Sequence, residues 1–256
     1  MPARLLNGKM DNKIGTFEFL TEPFHVDYTG HLTLSVMGNH ILNCAGMHAD
    51  ARGFGISMLN KENCTWVLSR IVFEMDKMPY EYDKFHINTW VESVYKLFSG
   101  RNFEIVSESG ETLGYARSIW AMINLETRKP VNLLEINDGR ICDYIIEGKE
   151  CPIEGPSRIK VNATEPVASY KAKYSDIDIN NHFNSVRHIE HILDLFPLEK
   201  FKDCSLKRFE IAYINESYYG DTLDFYLDDN GNNSYTVEIK NQASGDVVCR
   251  SLIAFR

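Results

Sequence analysis

The stretch Tyr174–Pro197 reads YSDIDINNHFNSVRHIEHILDLFP, a polar segment that runs into a helical pattern. Every second position of the polar segment carries a polar side chain: Asp176, Asp178, Asn180 and His182. Alternate side chains of an extended segment share one face, so we expect Asp178, Asn180 and His182 to project into the same space. Three different polar groups on one face indicate a functional site. The alternative is a loop whose Asp and Asn residues only form turns and cap the next helix.

The helix after this segment is predicted from the spacing of its apolar side chains, which are Val186, Ile189, Leu193 and Phe196. Asn184 or Ser185 is the expected N-cap. The predicted helix stops at Phe196, because Pro197 disfavours helical dihedrals in the residue before it.

The same pattern occurs a second time in the chain. Asp27-Tyr-Thr-Gly-His31 matches Asp178-Ile-Asn-Asn-His182, and the tripeptide His-Ile-Leu follows nine residues after each histidine, at His40 and His191. Alternating runs that predict strands follow in both copies, at Phe85–Val91 and Leu223–Leu227. Gly110 and Asn230-Gly231 mark turns between apolar runs. The chain is therefore predicted to be a duplicated unit.

Each copy is predicted to hold one strand, one long helix and several antiparallel strands. In the first copy the helical period is kept by Leu34, Met37, Ile41, Leu42 and Ala45. A long helix wrapped by a curved antiparallel sheet is the hotdog fold, so the predicted fold class is α+β, a double hotdog. We expect an N-terminal hotdog at residues 1–134, a linker at 135–158 with a short helix near Ile141 to Gly148, and a C-terminal hotdog at 159–256.

Composition narrows the class of protein. The net charge of -9 argues against nucleic acid as a partner. No apolar run approaches the length of a membrane span, and the first 20 residues lack the apolar core of a secretory signal and the composition of a transit peptide, so we expect a cytoplasmic bacterial protein. The six cysteines form no C-x-x-C pair and are expected to be buried free thiols. The sequence predicts no cofactor and no metal.

The order D-x-D-x-N-x-H followed by F-N-S-V, which starts at Asp176, resembles the motif of the plant-type fatty acyl-ACP thioesterases. That family also places a catalytic Glu followed by Cys shortly before its last strands, and the matching residues here are Glu216 and Ser217. The resemblance covers nearly the whole chain. Its first-half landmarks are Trp66-Val-Leu-Ser-Arg70, Lys77-Met-Pro79, Trp90-Val91, Ser118–Asn124 and Thr127-Arg128.

The resemblance implies a double hotdog enzyme that hydrolyses acyl thioesters on acyl carrier protein, with Asp178, Asn180, His182 and Glu216 as catalytic residues. Glu216 would take a proton from water, and Asn180 would bind the carbonyl oxygen or position the water. His182 would donate or accept a proton, Asp178 would orient Asn180 or His182, and free amides at Ser185 to Arg187 would face a developing anion. Ser217 in place of the family Cys argues against a cysteine nucleophile.

The first copy keeps Asp27 and His31 but has Thr29 at the position of Asn180. An alignment of Arg70 with Arg208 places Met78 opposite Glu216. Without the carboxylate, the first copy could not activate water in this way. We therefore expect the first hotdog to bind the acyl group and the second to perform the chemistry.

Several alternatives stay open at this stage. His182, His188 and His191, with Glu190 and Asp194, could form a metal site. The chain could instead be an acyl-CoA thioesterase or a non-catalytic acyl-thioester-binding hotdog protein. Acyl chain length, the preference for carrier protein or CoA, and a homodimer are left open. For docking of an acidic carrier protein the densest basic patch is Lys200, Lys202, Lys207 and Arg208.

Overall fold

The computed structural model describes Arg4–Leu5 and residues 13–256, and it divides into two compact units. The first unit runs to Ile71 and then from Met75 to Gly155. The second combines Val72–Glu74 with Pro156–Arg256.

The first unit packs a long helix against an antiparallel sheet. Its elements are β1 (Arg4–Leu5), β2 (Gly15–Leu20), α1 (Leu34–Asp50), α2 (Ile56–Leu59), β3 (Cys64–Met75), β4 (Lys84–Val94), β5 (Ser99–Ser107) and β6 (Thr112–Asn124). The strand order is β1-β2-β4-β5-β6-β3. The helix α1 begins after Thr33, whose hydroxyl accepts from the Val36 amide at 3.3 Å, and it packs on β2 and β4.

Two patterns in the sequence predict the core of this unit: the helical spacing of apolar residues in α1 and their alternation in the strands. Met37 and Ile41 lie one turn apart on α1 and are fully buried, as the helical pattern predicts. Phe17, Ile87 and Phe103 come from β2, β4 and β5 and are also fully buried. The predicted helix and the predicted strand at Phe85–Val91 are both confirmed.

The second unit has the same plan with a shorter helix. Its elements are β7 (Ala168–Lys171), α3 (Ser185–Leu193), α4 (Leu198–Asp203), β8 (Leu206–Tyr213), β9 (Thr222–Asp229), β10 (Ser234–Asn241) and β11 (Val247–Phe255). The strand order is β8-β11-β10-β9-β7, with every neighbouring pair antiparallel. The predicted strand at Leu223–Leu227 and the turn at Asn230-Gly231 are confirmed.

The end of α3 differs from the prediction. The helix ends at Leu193, three residues before Phe196. The Phe196 ring instead packs against the rings of Tyr235 and Phe255, with centroid distances of 5.0 and 5.3 Å. The position of Pro197 is compatible with a helix that continues to Phe196. The helix ends earlier because Phe196 packs against these two rings, a contact that the helical spacing does not predict.

The segment that follows β6 contains one 3₁₀ stretch, Ile136–Tyr144, interrupted by left-handed dihedrals at Asn137, Asp138 and Gly139. The short helix expected near Ile141 to Gly148 therefore starts earlier and ends at Tyr144. The rest of the segment is held by the first unit, because Arg117 donates to the Ile153 carbonyl at 3.0 Å.

The expectation of buried free thiols holds for four of the six cysteines, since Cys142 and Cys204 are only half-buried. All six are unpaired, and four of them are buried. In the part of the chain that is described, no helix is both long and apolar enough to cross a membrane.

Candidate active site

The segment between β7 and α3 is a tight loop, and the prediction of an extended segment with Asp178, Asn180 and His182 on one face is wrong. A 3₁₀ turn spans Tyr174–Asp176. The Asp178 amide then donates to the His182 carbonyl at 2.8 Å, which closes a reversal of the chain. Asn181 adopts a φ of 63° inside this loop, a left-handed conformation that Asn tolerates better than most residues. The reversal explains why alternation along a strand did not describe the segment.

Asp178 holds the loop together from inside. Its Oδ1 accepts from the backbone amides of Asn180 at 2.8 Å and His182 at 3.2 Å. Its Oδ2 lies 3.5 Å from the side-chain nitrogen of Asn180. The Asp178 carboxylate therefore shapes the loop by accepting hydrogen bonds from backbone amides, and it orients the side-chain amide of Asn180. The two side chains do not meet on one face of an extended segment.

The carboxylate of Glu216 lies beside His182. Its Oε1 is 3.5 Å from Nδ1 of the imidazole, and the two side chains are 35% and 25% exposed, so water can reach both. Glu216 follows the end of β8 by three residues. A hydrogen bond of 2.8 Å from the Phe183 amide to the Ser217 carbonyl fixes the two segments to one another. The fold thus places the Glu216 side chain beside that of His182, and the Asp178 side chain beside that of Asn180 in the same loop as His182.

Tyr218 completes this group and was not predicted. Its hydroxyl donates to Oε2 of Glu216 at 3.3 Å. Its ring meets the His182 ring edge-on, with centroids 5.3 Å apart and an angle of 80°. A signal was present in the sequence, since Tyr80 follows Met78 by the same two residues as Tyr218 follows Glu216.

Ser217 does not take part in this polar group. The residue is buried, and its hydroxyl has no hydrogen-bond partner in the described part of the chain. It therefore does not polarise Glu216.

Asp176 is buried and holds the start of the loop in place through three hydrogen bonds. It accepts from the Lys173 amide at 2.8 Å, the Tyr170 hydroxyl at 2.9 Å and Nε2 of His191 at 3.1 Å. Burial would raise the pKa of this carboxyl, but the hydrogen bonds from Lys173, His191 and Tyr170 bring the pKa below its ordinary value. Asp176 thus caps the 3₁₀ turn through the Lys173 amide and is buried from solvent.

The three histidines of the alternative metal site point to different partners. His182 faces Glu216, and His191 bonds to Asp176. His188 is buried against the Phe183 ring at a centroid distance of 4.4 Å. Among the residues that the structure describes, no three His, Cys, Asp or Glu side chains come together as a metal ligand set.

Two of the three amides predicted to face a developing anion, those of Val186 and Arg187, are used within the start of α3. The Val186 amide donates to the side chain of Asn184 at 2.9 Å, and the Arg187 amide donates to the Asn184 carbonyl at 3.0 Å. Asn184 is thus the N-cap, one of the two residues expected. Because it uses these donors itself, they cannot stabilise a developing anion.

Of the basic patch expected at Lys200 to Arg208, one residue is paired with acids and the others keep their charge. Arg208 pairs with Glu74 and Glu210. Lys200 donates to the Asn233 side chain at 2.7 Å and to the Tyr235 hydroxyl at 3.2 Å. The charge of Arg208 is therefore balanced by carboxylates, whereas Asn233 and Tyr235 are uncharged and leave the charge of Lys200 in place.

The first unit repeats the loop with the same hydrogen bonds. Oδ1 of Asp27 accepts from the Thr29 amide at 2.8 Å and from the His31 amide at 3.3 Å. The Leu32 amide donates to the Pro79 carbonyl at 2.9 Å, as Phe183 does to Ser217 in the second unit. Pro79 therefore corresponds to Ser217, and Met78 to Glu216. The alignment made from sequence is confirmed, and the first loop lacks the carboxylate.

Both units also match known family models. The model described as "Acyl-ACP thioesterase N-terminal domain" matches residues 16–137, and the one described as "Acyl-ACP thioesterase C-terminal domain" matches residues 159–256. The chain belongs to the acyl-ACP thioesterase family. The resemblance predicted from the loop motif is confirmed at the level of the family.

Solved structures of the acyl-ACP thioesterase family confirm the double hotdog fold. An acyl-ACP thioesterase from Bacteroides thetaiotaomicron is 57% identical, with 96% of this chain and 99% of that chain covered and a TM-score of 0.91. The 12:0-ACP thioesterase from Umbellularia californica is 19% identical, covers 96% of this chain and 98% of its own, and has a TM-score of 0.83. At that identity the second likeness shows the fold alone.

Curated members of the family are longer than this chain. The palmitoyl-acyl carrier protein thioesterase, chloroplastic, of Arabidopsis thaliana is 30% identical over 84% of this chain and 52% of its own length. The chain spans about half the length of this curated relative.

Proposed function

We propose that this protein hydrolyses acyl thioesters carried by acyl carrier protein and releases the free fatty acid. The observation that carries the proposal is the Glu216 carboxylate, which lies 3.5 Å from Nδ1 of His182. In the first unit Met78 occupies the position of Glu216, so only the second unit has this carboxylate. Family membership supports the substrate class, because its members are named for acyl-ACP thioesters. Fatty acid biosynthesis is the corresponding pathway.

In the proposed reaction, Glu216 takes a proton from water as the water oxygen attacks the thioester carbonyl carbon. The oxygen of the carbonyl gains charge, and the Asn180 amide, oriented by Asp178, donates to it. When the tetrahedral intermediate collapses, the carbon–sulfur bond breaks. The leaving sulfur then receives the proton held by Glu216, either directly or through His182. The products are a carboxylic acid and the thiol of the carrier, and no acyl-enzyme forms.

We expect Glu216→Gln, Asn180→Ala and His182→Ala each to lower kcat by about a hundredfold or more, the scale of losing a general base or an oxyanion donor. The matched control is His31→Ala in the first loop, which should have a much smaller effect. Melting temperatures of all variants distinguish lost chemistry from lost folding. Full activity in Glu216→Gln, or an inactive His31→Ala, would place the chemistry elsewhere.

A comparison of two substrates tests whether acyl carrier protein is the partner. We expect a higher kcat/KM on acyl-ACP than on the same acyl group attached to CoA. A preference for acyl-CoA would favour the acyl-CoA thioesterase alternative, and binding without turnover would favour the non-catalytic one. Location in the cytoplasm stays a prediction, which fractionation of the producing cell can check.

A further inference from the structure

Tyr218 touches two of the side chains to which the proposed function assigns the chemistry. Its hydroxyl donates to Oε2 of Glu216, and the other oxygen of the same carboxylate, Oε1, faces His182. Its ring stands edge-on to the His182 ring. One tyrosine therefore contacts both members of the Glu216–His182 pair.

The position of Tyr218 is set by its backbone. Its amide donates to Oδ2 of Asp221 at 2.8 Å, and the residue before it, Ser217, accepts from the Phe183 amide. These bonds tie the tyrosine to the catalytic loop on one side and to the turn before β9 on the other. The ring is thus held against His182 by the fold itself.

The first unit provides an internal comparison. Tyr80 bonds through its amide to Oδ2 of Asp83 at 2.8 Å, and its ring meets the His31 ring at 5.4 Å and 80°. The backbone and the ring contact are therefore the same in both units. The difference is that the tyrosine of the second unit has a carboxylate, Glu216, to bond, where the first has Met78.

We infer that Tyr218 is a positioning residue for Glu216, an inference that rests on the proposed function. A glutamate side chain has three rotatable bonds, and its carboxylate samples several orientations unless something holds it. A hydroxyl bond to Oε2 fixes the carboxylate with Oε1 turned toward His182. Hydrogen bonds to an ionised group are stronger than those between neutral groups, so one such bond can select an orientation.

The test is Tyr218→Phe, which keeps the ring against His182 and removes only the hydroxyl. We expect kcat to fall about fivefold to tenfold while KM and the melting temperature stay unchanged, because one solvent-exposed hydrogen bond to a charged group is lost. Tyr80→Phe is the matched control and should have wild-type kinetics. Wild-type kcat in Tyr218→Phe, or a loss confined to KM, would overturn the inference.

A double variant separates this inference from the proposed function. If Tyr218 acts through Glu216, then adding Tyr218→Phe to Glu216→Gln should cause no further loss, since the carboxylate is already absent. An equal loss in both backgrounds would show that Tyr218 acts independently of Glu216, and the inference would be wrong. Failure of the proposed function has a different signature, which is an active Glu216→Gln variant.

Discussion

The pair Glu216 and Ser217 shows how neighbouring residues divide their roles. Glu216 is partly exposed and faces His182, whereas the side chain of Ser217 is buried and its hydroxyl has no partner in the described residues. Ser217 contributes its carbonyl, which holds the loop through Phe183. A hydroxyl without a base beside it is a poor nucleophile, so the geometry agrees with attack by water.

At this scale we predict that Ser217→Ala keeps kcat within about twofold of wild type, since the backbone bond to Phe183 does not need the side chain. Its free energy of unfolding should be equal or higher by up to about 1 kcal/mol, because a buried unpaired hydroxyl is costly. Kinetics and urea unfolding provide the measurements. Intact-mass analysis during turnover should show no acyl-enzyme, and an acyl group on Ser217 or on a cysteine would contradict the water mechanism.

The element that carries the candidate site is the loop between β7 and α3. The buried Asp176 in this loop bonds to one residue on β7 and one on α3. Tyr170 lies on β7 and His191 on α3, and both bond to this carboxylate. In the first unit His25 stands at the position of Asp176, and His40 at the position of His191. Each of these has one buried ring nitrogen, Nδ1 of His25 and Nε2 of His40, without a partner among the described residues. The anchor is therefore a property of the second unit.

We predict that Asp176→Ala lowers the free energy of unfolding by about 2 to 4 kcal/mol, since it removes a buried charged acceptor and leaves its donors unpaired. His25→Ala, its counterpart in the first unit, should cost less, because no such network is lost. Denaturant unfolding monitored by circular dichroism compares the two variants. Equal losses would mean that packing, and not the hydrogen-bond network, is what Asp176 contributes.

At the scale of the whole molecule, histidines buried in the neutral form occur in both units. Burial lowers the pKa of His40 to about 4, helped by nearby His25. Burial lowers the pKa of His188 to about 3, helped by the neighbouring His191. In the unfolded chain a histidine titrates near its ordinary pKa of about 6.5. The unfolded state therefore binds more protons than the folded state as the pH falls below that value, and stability is lost toward acid.

We predict that the free energy of unfolding decreases from pH 6.5 toward pH 4, by up to about 1.4 kcal/mol per pH unit for each such histidine. The substitution His188→Leu should reduce this slope by the contribution of one histidine. This expectation holds whether or not the substitution changes the free energy of unfolding at neutral pH. Ile192→Val, at a buried position on the same helix, is the control; it removes no titratable group and should leave the slope unchanged. Urea unfolding at a series of pH values measures the slopes. An unchanged slope in His188→Leu would contradict the assignment.

The sequence by itself determined the elements and their duplication. The helical period of α1 and the alternation in β4 and β9 are local properties, so the residues that form them are also those that predict them. Alignment of the two copies is enough to place Met78 opposite Glu216, because the repeated residues fix the register between them. The motif and its resemblance predict the four residues of the candidate site, and the fold places Glu216 beside His182 and Asp178 beside Asn180.

Only the tertiary structure decided how these residues meet. The chain reverses at Asn181, and α3 ends early because Phe196 packs on β10 and β11. Tyr218 and Asp176 acquired their roles from contacts that the sequence pattern does not encode, among them the bond between Asp176 and His191, fifteen residues apart. Periodicity reports which face of an element is apolar, but the partner of a polar side chain depends on which segments pack together, and that is fixed only when the whole unit folds.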